Sequence, residues 1–105
     1  MGLRDLFRRK PRQAVVIDPV QAIALEFLFR FERASHDDLF AEVENERPVP
    51  REVFTAAIAD AAAQGLVDYR LDPEASSTTL VLTPLGGRLR GRLPANVQSR
   101  VSVYL

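Results

Sequence analysis

The side chains in this sequence that could do chemistry are arginines and hydroxyls, and their placement suggests recognition rather than catalysis. Arg47, Arg51 and Thr55 fall around the start of one predicted helix. Ser76 and Ser77 fall in a turn between two predicted strands, Thr78 opens the second of those strands, and Arg88, Arg90 and Arg92 follow it. Guanidinium groups pair with phosphate oxygens, and Arg, Ser and Thr also reach base edges, so this is the set a reader of duplex DNA would use. The other candidates are weaker. A single histidine, His36, and no cysteine leave nothing from which to build a zinc site or a thiolate nucleophile. Asp37 and Asp38 are adjacent carboxylates, but they open a predicted helix, where the helix dipole favours acids. Without a nucleophile–base pair, a phosphate loop or a metal cluster, the expectation is a non-catalytic protein with no metal and no cofactor.

Charge complicates the DNA reading. The chain of 105 residues holds 14 basic and 14 acidic residues, for a net charge of zero. Residues 1–12 hold five of the basic residues (Arg4, Arg8, Arg9, Lys10 and Arg12) against Asp5, so the remainder carries 9 basic and 13 acidic residues, a net −4. A body of that sign does not draw in a phosphate backbone by its long-range field. Leu3, Leu6 and Phe7 lie among the cations of the first segment, beside Arg8, Arg9 and Lys10. That segment, residues 1–13, reads as a basic disordered tail ahead of a domain at 14–105. Its alternative is a short amphipathic anchor for an acidic membrane surface or a protein partner. No apolar run approaches the length of a membrane span, and the N-terminus lacks the apolar middle of a signal peptide, so a cytoplasmic protein is expected.

The elements that would position these residues are legible from periodicity. Ala14-Val15-Val16-Ile17 reads as a strand, and Asp18-Pro19 as a cap and first turn of a helix over 19–33. Val20, Ile23, Ala24, Phe27, Leu28 and Phe31 form its expected buried face; Leu25 and Phe29 fall off it, toward the N-terminal strand or a dimer partner. Ser35, with Asp38 three residues on, opens a second helix over 35–44, buried through Leu39, Phe40 and Val43, with His36 in its solvated first turn. A third helix runs over 50–64 from Pro50 to the stop at Gly65, with Val53, Phe54, Ala57, Ile58 and Ala61 inward. Arg51, Glu52, Thr55, Ala56, Ala59, Asp60, Ala62 and Ala63 then point out. Strands over 66–71 and 78–83 flank a polar turn, Thr83-Pro84 starts a short helix, and 97–105 alternates as a last strand. The two terminal strands are expected to pair with each other or with the hairpin. The core should gather Ile23, Phe27, Phe31, Leu39, Val43, Phe54, Ile58, Leu66, Val67, Leu80 and Leu82.

Helix, helix, helix and hairpin in that order predict an α+β winged helix-turn-helix. The stretch IADAAAQGLVDYRLDPEASSTTLVLTPLGGRL, residues 58–89, resembles the recognition helix, wing and exit of MarR-type winged-helix regulators. Three features carry the resemblance: Gly65-Leu66-Val67 after the helix, Arg70-x-Asp72-Pro73 opening the wing, and Leu82-Thr83-Pro84-x-Gly86 closing it. The resemblance implies a duplex-DNA partner, with the third helix in the major groove. The sequence departs from it at the wing tip, where Glu74-Ala75-Ser76-Ser77 replaces the arginine usual in the family. It also lacks the family's long terminal dimerisation helices, and its outward helix face is mostly alanine. Those departures suit an interaction or adaptor module instead. Its partner would be a protein or a second copy, contacted through helix one, helix three or the terminal strands, with residues 1–12 as a membrane or nucleoid tether.

Overall fold

In a computed structural model, which describes residues 14–74 and 77–105, the chain forms a winged helix extended by a strand pair that joins its two ends. The expected tail at 1–13, with Leu3, Leu6, Phe7, Arg8, Arg9 and Lys10, lies outside the described residues, as does Ser76. Strand β1 (Ala14–Ile17) leads into helix α1 (Pro19–Phe31); a short strand β2 (Arg33–Ser35) then leads into α2 (His36–Glu46). Helix α3 (Arg51–Ala63) is followed by β3 (Val67–Asp72) and β4 (Ser77–Leu82), the one-turn helix α4 (Pro84–Gly87), and β5 (Val101–Tyr104).

Local chemistry sets these boundaries. Asp18 caps α1 by accepting from Gln21 N at 2.8 Å, and the Gln21 side chain accepts from Asp18 N at 2.9 Å, a reciprocal capping box. Ser35 Oγ accepts from Asp38 N at 3.0 Å at the start of α2. Behind α3, Gly65 turns the chain at φ +82°, a left-handed conformation that costs glycine little. Helix α1 ends on Glu32, at φ 66°, two residues earlier than its sequence periodicity suggests. That leaves Arg33–Ser35 free to pair with Thr79–Val81.

The wing sheet therefore has three strands in the order β2-β4-β3, all antiparallel. Strand β2 escapes a sequence reading because three residues between two helices show no alternation long enough to count. At the other end of the domain β1 pairs antiparallel with β5, from Ala14 opposite Tyr104 to Ile17 opposite Val101, so the terminal strands pair with each other. Regular pairing there covers Val101–Tyr104, fewer residues than the alternation at 97–105 predicts.

The core follows the expected list with one rotation. Leu39, Val43, Phe54, Ile58, Leu66, Val67 and Leu80 are buried, while Ile23, Phe27 and Leu82 pack partly exposed against them. Phe31 does not join them: it is 56% exposed, and Leu25, expected off the face, is 1% exposed in the core. The true inner stripe of α1 is Gln21, Ala24, Leu25 and Leu28. Two adjacent stripes of this helix satisfy helical spacing, and a glutamine in one of them disguised it. Gln21 is tolerated at 2% exposure because every arm of its amide is used. Besides the capping bond, its Nε2 donates to Ala57 O at 2.9 Å and to Asp60 Oδ2 at 3.0 Å, fastening α1 to α3. Gln21→Leu keeps the volume but strands these partners, so we expect a loss of about 1–3 kcal/mol in urea unfolding. A variant as stable as the parent would mean that the amide contributes nothing net. Val53, expected inward on α3, is 49% exposed for the same rotational reason: Phe54, Ala57, Ile58 and Ala61 already fill the inner face.

Candidate nucleic-acid interface

Most of the residues expected to form one site lie on the third helix, the hairpin behind it and the segment that follows. The outward residues of α3 are exposed: Arg51, Glu52, Val53, Thr55, Ala56, Ala59, Asp60 and Ala63. Pro50 precedes the helix with no side-chain cap, so the first N–H groups of α3 are not satisfied by a capping side chain. Arg51, the cation best placed at this end, is already engaged. Its Nη1 donates to Asp37 Oδ1 at 3.0 Å, and its guanidinium lies 4.4 Å from the centre of the Phe40 ring. Thr55 stays free of such ties on the exposed face one turn on.

Charge across the helix-turn-helix is one-sided. Residues 36–63 hold Asp37, Asp38, Glu42, Glu44, Glu46, Glu52 and Asp60 against Arg47 and Arg51, a net −5. Arg47 closes α2 and lines a cleft of about 260 Å³ with Pro19, Ile23, Glu26, Glu46 and residues 94–98. It therefore borders the α1 side of the domain. His36, expected in solvent, is half-buried, with its ring edge-on to Phe54 at 5.0 Å.

The wing is short and its inner face is apolar. Alternation along the register puts Tyr69, Leu71 and Thr78 on the same face as the buried Leu80, and Leu71 is 73% exposed near the end of β3. Partial burial pushes the Tyr69 phenol up. A hollow of about 430 Å³ separates the wing from the start of α2, lined by Ser35, His36, Asp37, Tyr69, Ser77 and Thr78. Ser77 and Thr78 therefore stand across from Asp37, the acid that holds Arg51.

The three arginines after the wing serve other ends. Arg90 donates to Phe29 O at 2.9 Å and approaches Glu32 at 3.8 Å, holding the exit segment on the end of α1. Arg92 donates to Tyr104 O at 3.2 Å, on β5. Arg88 is exposed. The nine candidate residues do not form one patch: the described ones spread over α3, the wing hollow, the α1 cleft and the exit segment.

Two residues that sequence reasoning missed shape this surface. Gln64 at the end of α3 accepts from Val16 N at 2.8 Å and donates to Val16 O at 2.9 Å, so one side-chain amide pairs with the free edge of β1 as a neighbouring strand would. Gln21 is the other, and its spacing of three from Asp18 was the available signal. Among the described residues no group of three or more acids and histidines could hold a metal ion. No helix among them is long and apolar enough to cross a membrane.

Comparison with known proteins bears on the fold. No family model matches the chain, and no curated protein matches it. Among solved structures it is similar to the crystal structure of SSV1 F-93, with a TM-score of 0.59 and 28% sequence identity over 69% of this chain and 73% of that one. The likeness supports the winged-helix fold without singling out the MarR type. Three helices, a hairpin wing and that likeness together make this chain a winged-helix protein.

Proposed function

We propose that the protein is a small non-catalytic winged-helix module of the DNA-binding, transcriptional-regulator type. The observation that supports this reading is the exposed outward face of α3, in the helix-turn-helix position after α2 and with the hairpin wing behind it. Phosphate attraction in this reading comes mainly from Arg4, Arg8, Arg9, Lys10 and Arg12, with Arg88 as one exposed cation after the wing. Helix α3 contributes fit rather than charge, because Arg51 is paired and Glu52 and Asp60 repel phosphate.

The expected affinity for duplex DNA is then in the non-specific range, roughly 10⁻⁴ to 10⁻⁶ M at physiological salt, with a log–log salt slope of about −0.9 per phosphate contact. Fluorescence anisotropy with a labelled duplex across a salt series measures both. Deleting residues 1–12 should abolish most of the binding, whereas Arg51→Ala with Thr55→Ala should barely change it. A full-length chain with no salt-dependent binding would refute the DNA reading.

The second reading is a protein-interaction or adaptor module, tethered by its basic N-terminal residues to an anionic surface. The net −5 of residues 36–63 and the alanine-rich outer face of α3 favour it, since alanines admit close approach by another protein surface. A selected duplex bound at nanomolar affinity, and lost in the Arg51/Thr55 double variant, would exclude this second reading. In a true base reader each lost contact costs about 1–3 kcal/mol.

A further inference from the structure

Part of the outward face of α3, from Glu52 to Asp60, forms one wall of a groove of about 780 Å³. It lies between α3 and β1, which the Gln64 amide on Val16 holds together, while the Gln21 amide on Ala57 and Asp60 fastens α1 to α3. Its apolar part is Val16, Val53 and Ala56; the two valines are 41% and 49% exposed. Its rim carries the carboxylates of Asp18, Glu52 and Asp60, opposed by Arg100 alone among the lining cations. An occupant of matching chemistry has apolar side chains flanked by several positive charges.

One segment of this chain has that chemistry, and it is bonded to the edge of the groove. Residues 1–13, MGLRDLFRRKPRQ, offer Leu3, Leu6 and Phe7 among five cations and one acid, and Gln13 is joined to Ala14, two residues from Val16. The segment is +4 and the rest of the chain −4. At about 3.3–3.6 Å per extended residue its reach is on the order of 40 Å, so distance does not restrict it. Covalent attachment also raises its effective concentration at the groove to about the millimolar range.

We propose that residues 1–13 dock in cis into this groove. Leu3, Leu6 and Phe7 cover Val16, Val53 and Ala56, and the arginines and lysine face Asp18, Glu52 and Asp60. Docked there, the segment masks the outward face of α3, and a polyanion competes for the same cations. The proposal does not depend on DNA being the partner.

The chain has no cysteine, so Asp5→Cys gives one attachment point for a nitroxide label. Paramagnetic broadening of the backbone amides is then measured on the full ¹⁵N-labelled protein, at low salt and at about 1 M salt, where the Debye length falls to ~3 Å. The expected result is loss of most amide intensity at Val16, Val53 and Ala56 at low salt, recovered at high salt. Val53→Lys should abolish the broadening with no change in melting temperature, since Val53 is half exposed. Three outcomes overturn the proposal: no localised broadening; broadening confined to Ile23 and Phe27 beside Glu26, Glu42 and Glu46; or broadening that appears only when spin-labelled, unenriched chains are mixed with unlabelled ¹⁵N chains, which would place the segment on a second copy. No DNA is present, so the result stands apart from the outcome of the duplex titration.

Discussion

Ile58→Asp is expected to unfold the domain. Ile58 sits on the inner face of α3 at 1% exposure, in a core that also holds Phe54, Leu66 and Leu80. Removing a buried isoleucine side chain costs about 2–5 kcal/mol through lost transfer energy and the space left behind. The new carboxylate adds a further penalty of several kcal/mol unless it takes up a proton, because a lone buried charge has no partner there. A domain of this size has roughly 5–15 kcal/mol to lose. Circular dichroism should show loss of the cooperative melt, while Ile58→Val in the same assay should cost only about 0.5–1.5 kcal/mol. If Ile58→Asp melted like the parent, the packing of α3 described above would be wrong.

The elements on which that prediction rests were legible in the sequence because each had a local signature. Asp18-Pro19, Ser35 with Asp38, and Gly65 mark helix ends by chemistry acting within four residues. What stayed hidden depended on distant partners. Gln21 has no place on an apolar stripe, and its burial depends on Ala57 O and Asp60, 36 and 39 residues away. With Gln21 and Leu25 on the inner side of α1, Phe31 is left exposed near its end. Strand β2 exists only because β4 comes back to pair with it.

The candidate site was less legible than the fold, for a related reason. Arg51, Arg90 and Arg92 have the side chains of a phosphate binder, and nothing local distinguishes a free guanidinium from one engaged by Asp37, Phe29 or Tyr104. The charge of the helix-turn-helix could be read directly, because summing charges needs no partner. That sum, a net −5 over residues 36–63, disfavours contact with phosphate through these two helices. A winged helix with a net −5 across its second and third helices must either borrow cations from elsewhere in the chain or meet a surface other than phosphate.

Gly86→Ala is expected to be the most damaging glycine-to-alanine change among the described residues, and it explains why Leu82-Thr83-Pro84-x-Gly86 marks the fold rather than the ligand. A Cβ built on Gly86 would lie 2.2 Å from Leu66 O and 2.8 Å from Leu82 Cδ1, and the first of these is backbone that cannot rotate away. The surrounding bonds hold that backbone in place. Thr83 N donates to Leu66 O at 3.1 Å, Thr83 Oγ1 donates to Gly65 O at 2.6 Å, and Gly86 N donates back to Thr83 Oγ1 at 2.9 Å. Thr83 thus clasps the exit of the wing onto the turn that ends α3, and Gly86 is the residue that lets the two backbones close. Adding a methyl must open the clasp, at about 1–3 kcal/mol for overpacking plus a net 0.5–1.5 kcal/mol for each hydrogen bond lost with it. Thr83→Val, which removes the hydroxyl and leaves the space, should cost about 1–3 kcal/mol. Urea unfolding of both variants distinguishes clash from hydrogen bonding: Gly86→Ala should lower the midpoint more than Thr83→Val. A Gly86→Ala protein with an unchanged midpoint would mean that the close approach of Gly86 to Leu66 does not exist in solution.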